Sequence, residues 1–424
     1  MFSFIKKYQA FFIVASLWLL IGQINGAAGI FFISISIIYF LNQGRNTSAL
    51  FLFFFCLIFS DSRLSYFQFA KDARIPLLLI FIGFLLFGQK KIKIQKNIKT
   101  FYLLPFFLFA LIGSLFGPIP SLAIQKLLSY GLMIFFGLSF VHQTIASNVE
   151  SFQKDISYFV LFILGLGFIL AIFQPNVVFF RDTFRYNGVF GNPNGLGIFC
   201  TLNYFFFRIL DKKRKNKLNT IVLFFLVFSI ILTQARSSIF AIIIFEFIHF
   251  LTKQNVLLGM LGGLIFVILL SLFDPVEIFY SLNLNNVVRT DNLSTGSGRF
   301  LAWKFASTQI WTNPIFGNGF AYGEYFMGLN KDKFLYTEHQ GGVHNSFLSL
   351  LINTGFVGFT CIILFFLTNL LSEKSNRIVS IPLIFGIGFS SFFEDWLIGS
   401  MNSFFIFFLM LLVLVNIPSR HLAK

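Results

Sequence analysis

The sequence predicts an all-α, polytopic integral membrane protein of about 12–14 transmembrane helices with one long, partly helical loop on its outer side. Three observations carry this. Hydrophobic residues fill 57% of the 424 positions and charged residues only 11%, where a soluble domain has roughly 25%. Phenylalanine alone contributes 67 residues, more apolar surface than a soluble core hides. The apolar runs are continuous rather than alternating with polar residues, which reads as helices and not as barrel strands.

Fourteen apolar segments follow in order, at roughly 8–24, 27–41, 49–60, 75–88, 101–117, 121–141, 156–174, 194–210, 219–234, 237–252, 255–273, 344–371, 377–392 and 401–416. The first follows Lys6 and Lys7 and resembles a signal peptide. Further spans come at once, so it reads as a retained helix. Several early segments fall short of the roughly 20 residues a full crossing needs. Twelve spans, with the weakest early segments merged or re-entrant, therefore stays open. No internal repeat or Ser/Gly linker divides the chain, which reads as a single polytopic domain over 1–424. The segment 274–343 is the large extramembrane feature. Trp303, Trp311 and several Tyr and Phe make it an ordered loop that rests on the membrane surface.

The net charge of +16 would suggest nucleic acid in a soluble protein. Here it is better read as the positive-inside excess of a membrane protein. The runs KKIKIQKNIK (90–99) and DKKRKNK (211–217) are expected cytoplasmic loops. With both termini in the cytoplasm, most Lys and Arg of the short loops fall inside, and every candidate residue below falls outside. Cys56, Cys200 and Cys361 lie within expected spans and form no disulfide framework.

Four motifs carry possible chemistry. In GVFGNPNGLG (188–197), Asn192 is placed to cap a helix that starts at Pro193. Arg181 and Arg185 lie just upstream. A glycine-rich packing face and a ligand contact at Asn194 fit this motif equally. In TQARSSIF (233–240), Arg236 occupies a very short outer turn, where a guanidinium is costly unless paired or hydrated. It is either a snorkelling interfacial arginine or an anion ligand, for which its planar fork is suited. In TGSGRFLAWKF (295–305), Ser297 and Gly298 lead into a helix with Arg299 in its first turn. The spacing of Trp303, Ala306 and Ile310 predicts that this helix lies flat on the membrane. Arg299 is a surface arginine or a second anion ligand. The segment closes with the turn-rich NPIFGNGF (313–320).

The fourth motif is HNSFLSLLINTGFVG (344–358). His344 and Asn345 open a span at its outer end. Ser346, Ser349 and Asn353 form a polar stripe, and Gly355 and Gly358 are spaced for close packing. Glu246 and His249, one turn apart, read as partners of Lys253, and the Glu394–Asp395–Trp396 cluster reads as structural. The sequence has no P-loop, dinucleotide fingerprint or metal-ligand spacing, so no cofactor and no metal is expected.

In order, GNPNGLG, ARSS, GSGR with Trp303 and PIFGNGF, and HNSFLSLLINTGFVG resemble the O-antigen ligase and O-antigen polymerase family of bacterial envelope enzymes, over roughly residues 185–360. The first seven spans carry no matching motif. The resemblance implies twelve or more helices, with the periplasmic loop 274–343 folded over an outward-facing cavity in the inner membrane. It also implies metal-independent transfer of an oligosaccharide from undecaprenyl pyrophosphate to a sugar hydroxyl. The acceptor would be a second lipid-linked repeat unit for a polymerase, or lipid A–core for a ligase. The family arginines match Arg236 and Arg299, and the family histidine matches His344. Asn345, Asn192 and Asn194, with Arg181 and Arg185, become candidate substrate contacts. The chemistry agrees: two arginines stabilise a pyrophosphate that gains charge on leaving, and an imidazole accepts the hydroxyl proton near neutral pH. Metal-dependent oligosaccharyltransferases usually carry an acidic residue in the first outer loop, and IGQINGAAG (21–29) has none. The rival reading from another class is a lipid-linked oligosaccharide flippase. It would place charges along a mid-membrane path, whereas here they crowd the outer face.

Overall fold

The structure is a computed structural model that describes residues 2–62, 67–88, 98–180, 184–211, 217–272, 299–330, 332, 342–373 and 376–417. Among them every regular element is helical, apart from an isolated antiparallel bridge between Phe179 and Tyr186. The helices are α1 (Phe2–Lys7), α2 (Gln9–Ile24), α3 (Gly26–Asn42), α4 (Asn46–Ser60), α5 (Gln68–Phe87), α6 (Leu103–Phe116), α7 (Pro120–Phe136), α8 (His142–Ser147), α9 (Val149–Phe173) and α10 (Pro175–Val178). They continue with α11 (Pro193–Asp211), α12 (Lys217–Thr233), α13 (Arg236–Gln254), α14 (Val256–Leu272), α15 (Arg299–Ser307), α16 (Tyr322–Leu329), α17 (Ser346–Leu370), α18 (Arg377–Phe393) and α19 (Ser403–Asn416).

Among the described residues, four helices are long and apolar enough to cross a membrane: Pro120–Ser147, Val149–Phe173, Arg236–Gln254 and Ser346–Leu370. The first joins α7 to α8 through a π turn at Gly137–Val141. Shorter apolar helices accompany them at α2, α3, α4, α6, α12, α14, α18 and α19. Helix α5 starts at Gln68 rather than near 75, taking in Lys71, Asp72 and Arg74. Those charges masked its first two turns in the sequence. Large apolar side chains face outward along these helices, among them Leu20, Phe31, Phe116, Phe224 and Leu264. Such surfaces suit a hydrocarbon solvent, and the protein is a helical membrane protein.

The chain forms two compact units. One comprises Met1–Gln95, Leu132–Ser238 and Met401–Lys424, and the other Lys96–Gly131 and Ile239–Ser400. In the first, α4 and α19 are apolar on every face and are buried on every face, as such helices must be. Phenylalanines interlock around them: Phe51 stacks on Phe159 at 4.7 Å, and Phe54 and Phe199 both meet Phe407 at 5.2 Å. The buried Asp155 of α9 ties down the start of the chain. One of its oxygens accepts from Lys7 Nζ at 2.6 Å and from the Tyr8 hydroxyl at 2.7 Å.

In the second unit α17 packs against α6 and α18. Helix α15 has one face packed into the protein. Its Ala302 and Ala306 are fully buried with Met327, Val343 and Ile352, and Trp303 and Ile310 flank that cluster. Phe300 and Leu301 stay about half exposed. Half of the loop expected at 274–343 lies outside the described residues, which hold 299–330, 332 and 342–343 of it.

Candidate functional site

In the second unit the start of α17 organises a cluster of charge. Asn345 is extended (φ −155°) and its side-chain oxygen accepts from Leu348 N–H at 2.9 Å, capping the helix. His344, just before it, has φ +48°. A left-handed backbone at a non-glycine residue costs ~1–3 kcal/mol and persists only where the surroundings enforce it. Trp303 does part of that work, since its indole N–H donates to the Val343 carbonyl at 2.9 Å.

The partner of this histidine is Glu394, at the end of α18. Its carboxylate is 8% exposed. One oxygen accepts from Arg299 Nη2 at 2.7 Å, and the other lies 3.7 Å from His344 Nδ1. Burial pushes the Glu394 carboxyl up, but Arg299 and His344 together outweigh it and hold it below the usual glutamate range. Thus Arg299 and His344, 45 positions apart in sequence, meet on one carboxylate. Arg299 is the first residue of α15, and its side chain keeps 20% exposure while His344 keeps 33%.

The polar stripe of α17 holds this loop in place. Ser346 Oγ donates to the Glu394 carbonyl at 2.7 Å and accepts from Leu397 N–H at 3.2 Å. Ser349 Oγ donates to Asp395 Oδ2 at 2.9 Å. Asp395 Oδ1 is buried and accepts no hydrogen bond from the described residues. Burial pushes this carboxyl up to about 6, with Glu324 and Glu394 adding to the rise and Ser349 and His344 opposing it. Two adjacent carboxyls are therefore driven in opposite directions: at Glu394 the cations Arg299 and His344 outweigh burial, while at Asp395 burial outweighs Ser349 and His344. The Glu394–Asp395 pair, which pattern alone marked as structural, belongs to the histidine cluster. The available signal was its cost: two carboxylates at the end of an apolar helix require partners.

In the first unit the residues of the earlier motifs form a second cluster. Asn192 caps α11, accepting from Gly195 N–H at 2.7 Å. Arg185 Nε donates to the Thr233 carbonyl at 2.9 Å, and its Nη2 donates to Asn194 Oδ1 at 2.7 Å. Asn194 thus orients Arg185. The Thr233 hydroxyl accepts from Ala235 N–H at 3.1 Å, through a turn where Gln234 has φ +52°. Arg236 then opens α13, partly buried. Arg181 lies outside the described residues, as do Ser297 and Gly298. Among the described residues, no three His, Cys, Asp or Glu side chains gather as metal ligands.

Residues 221–363 match the family model described as O-Antigen ligase. Arg236, Arg299 and His344 all fall within the matched stretch, and Glu394 lies beyond it. Comparison with curated proteins and with solved structures finds no match.

Proposed function

With an O-antigen ligase domain at residues 221–363 as the premise, we propose that this membrane glycan transferase moves an oligosaccharide from undecaprenyl pyrophosphate to a sugar hydroxyl, without a metal, on the periplasmic face. The observation that carries the reading is the meeting of Arg299 and His344 on the buried Glu394 carboxylate.

The acceptor hydroxyl approaches His344. With Nδ1–H turned toward Glu394, Nε2 is the basic nitrogen, and it takes the hydroxyl proton as the oxygen attacks the anomeric carbon. The new C–O bond forms while the bond from the anomeric carbon to the pyrophosphate oxygen breaks. Its electron pair leaves with the pyrophosphate. Stabilising that growing charge is the role proposed for Arg299 and, from its match to the family arginine alone, for Arg236. A guanidinium has five N–H donors, so Arg299 can serve both Glu394 and an anion. Arg185, oriented by Asn194, and Arg181 are candidate substrate contacts of the first unit. Asn345 and Asn192, candidate substrate contacts, also fix the starts of α17 and α11. The donor's glycosyl–pyrophosphate bond, whose leaving group departs as an intact pyrophosphate anion, supplies the driving force.

The test uses purified protein in liposomes with undecaprenyl-pyrophosphate repeat units. Growth of a ladder without other acceptor identifies a polymerase. Growth only after lipid A–core is added identifies a ligase. No transfer to either acceptor refutes the reading.

A further inference from the structure

Helix α17 is not continuous. At Gly355 the backbone takes φ +66°, ψ −177°, a region open to glycine alone. A side chain there would also overlap the Ile315 carbonyl. The break leaves backbone groups of α17 without helical partners, and residues 314–319 supply them. Asn318 N–H donates to the Ile352 carbonyl at 2.9 Å, Gly319 N–H to the Asn353 carbonyl at 3.1 Å, and Phe356 N–H to the Pro314 carbonyl at 2.8 Å.

The same segment lies against α6. Phe316 stacks on Phe109 at 5.5 Å, Phe320 N–H donates to Ser114 Oγ at 3.1 Å, and a side chain at Gly113 would overlap the Phe316 carbonyl. Backbone that is not helical survives among membrane-crossing helices only when protein satisfies it, and here two helices do so.

Asn353 sits at the centre of this junction. It is 4% exposed, and its side-chain oxygen accepts from Gly323 N–H at 2.9 Å, at the start of α16. Helix α16 in turn places Met327 against Ala302 and Ala306 of α15 and against Val343. Arg299 opens α15, and Val343 precedes His344.

We propose that residues 313–320 form a wedge set into the interrupted α17, and that Asn353 is the positioning residue that keeps Arg299 and His344 in register through it. The wedge is a statement about this fold alone; the positioning role rests on the transfer reading above. Displacing reacting groups by about 1 Å costs about 100-fold in rate, so a hydrogen bond remote from the substrate can act on turnover.

The experiment pairs two readouts in full-length protein carrying Cys361→Ser. The first is labelling of an Ala321→Cys thiol by a membrane-impermeant maleimide. Ala321 is 3% exposed, and Leu329→Cys at a 65% exposed position serves as the labelled control. The second is the kcat and donor KM of transfer in liposomes. Asn353→Leu should expose the 321 thiol and lower kcat about 10–100-fold at unchanged KM. Asn353→Asp, which restores an acceptor for Gly323 N–H, should return both readouts to near wild type. Unchanged labelling in the Leu variant overturns the wedge role. Raised labelling with normal kcat, or an Asp variant no better than Leu, overturns the positioning role. A wild-type protein without transfer overturns the function instead, and the labelling still decides the wedge.

Discussion

Glu394→Gln removes one charge and almost no volume from the histidine cluster. At 2.7 Å the Arg299 contact is a charge-assisted hydrogen bond between a carboxylate 8% exposed and a guanidinium 20% exposed. Its gross Coulomb energy is about 6 kcal/mol at an effective dielectric of about 20, but burying the carboxylate offsets most of that. Removing one partner is different, because the other cation stays. Such losses run to about 3–5 kcal/mol in buried pairs. The exposed edge of Arg299 puts this one at the lower end, about 3 kcal/mol. The sign with pH is fixed by the direction of the shift. The folded Glu394 carboxyl lies below its usual value of 4.5, so its contribution is present above that value and is lost as pH falls through the folded one. Thermal unfolding in detergent should therefore show Glu394→Gln less stable than wild type from pH 6 to 8, with the gap closing in acid. Transfer activity should fall with it, since His344 loses the group that faces Nδ1. Equal stability and equal turnover at pH 7 would refute the pairing and the role built on it.

The neighbouring carboxyl should respond in reverse. Asp395 is raised from 3.8 to about 6, so its protonated form is the favoured one in the fold; the stability this contributes is complete below 3.8 and lost as pH rises through about 6. Allowing for its partial exposure, Asp395→Asn should gain about 2 kcal/mol above pH 6 and little near pH 4, read as the difference between two unfolding series. His344→Ala should unfold like wild type and lose about 100-fold or more in transfer, measured by product ladders under single-turnover conditions. Arg236→Lys and Arg299→Lys keep the charge and lose the fork; each should lower kcat/KM about tenfold or more, and unaltered kinetics would remove that arginine from the leaving-group role.

Much of the architecture was legible because hydrocarbon is an unforgiving solvent. Apolar runs must become helices, and the runs located α2, α3, α12 and α14 to within a few residues. The Asn192 cap before Pro193 was legible too, as local chemistry, whereas Asn345 was placed at the opening of a span and only the structure shows it as a cap. The family resemblance rested on motifs between 185 and 360, and the matched stretch at 221–363 overlaps them. What stayed hidden was long-range. Residues 346–370 average a hydropathy of 2.3 in their apolar window and read as one rod. Gly355 breaks it because a segment some forty residues earlier supplies the replacement hydrogen bonds. Glu394 looked structural for the same reason: its two partners lie 95 and 50 positions away. Asn353 was read as part of a stripe facing something polar, which turned out to be a backbone amide.

The Asp155 anchor bears on how the chain is made. Lys7 and Tyr8 emerge from the ribosome nearly 150 residues before the carboxylate that holds them. During that interval the Lys7 ammonium and the Tyr8 phenol have no Asp155 to bind. Only when α9 arrives does a buried acceptor become available, and α9 in turn brings a carboxylate that would be expensive to leave unpaired among phenylalanines. The Lys7–Tyr8 segment and α9 therefore stabilise each other only once both have been made. Replacing Asp155 would leave the insertion of the first helix intact and show its damage only in chains long enough to contain residue 155.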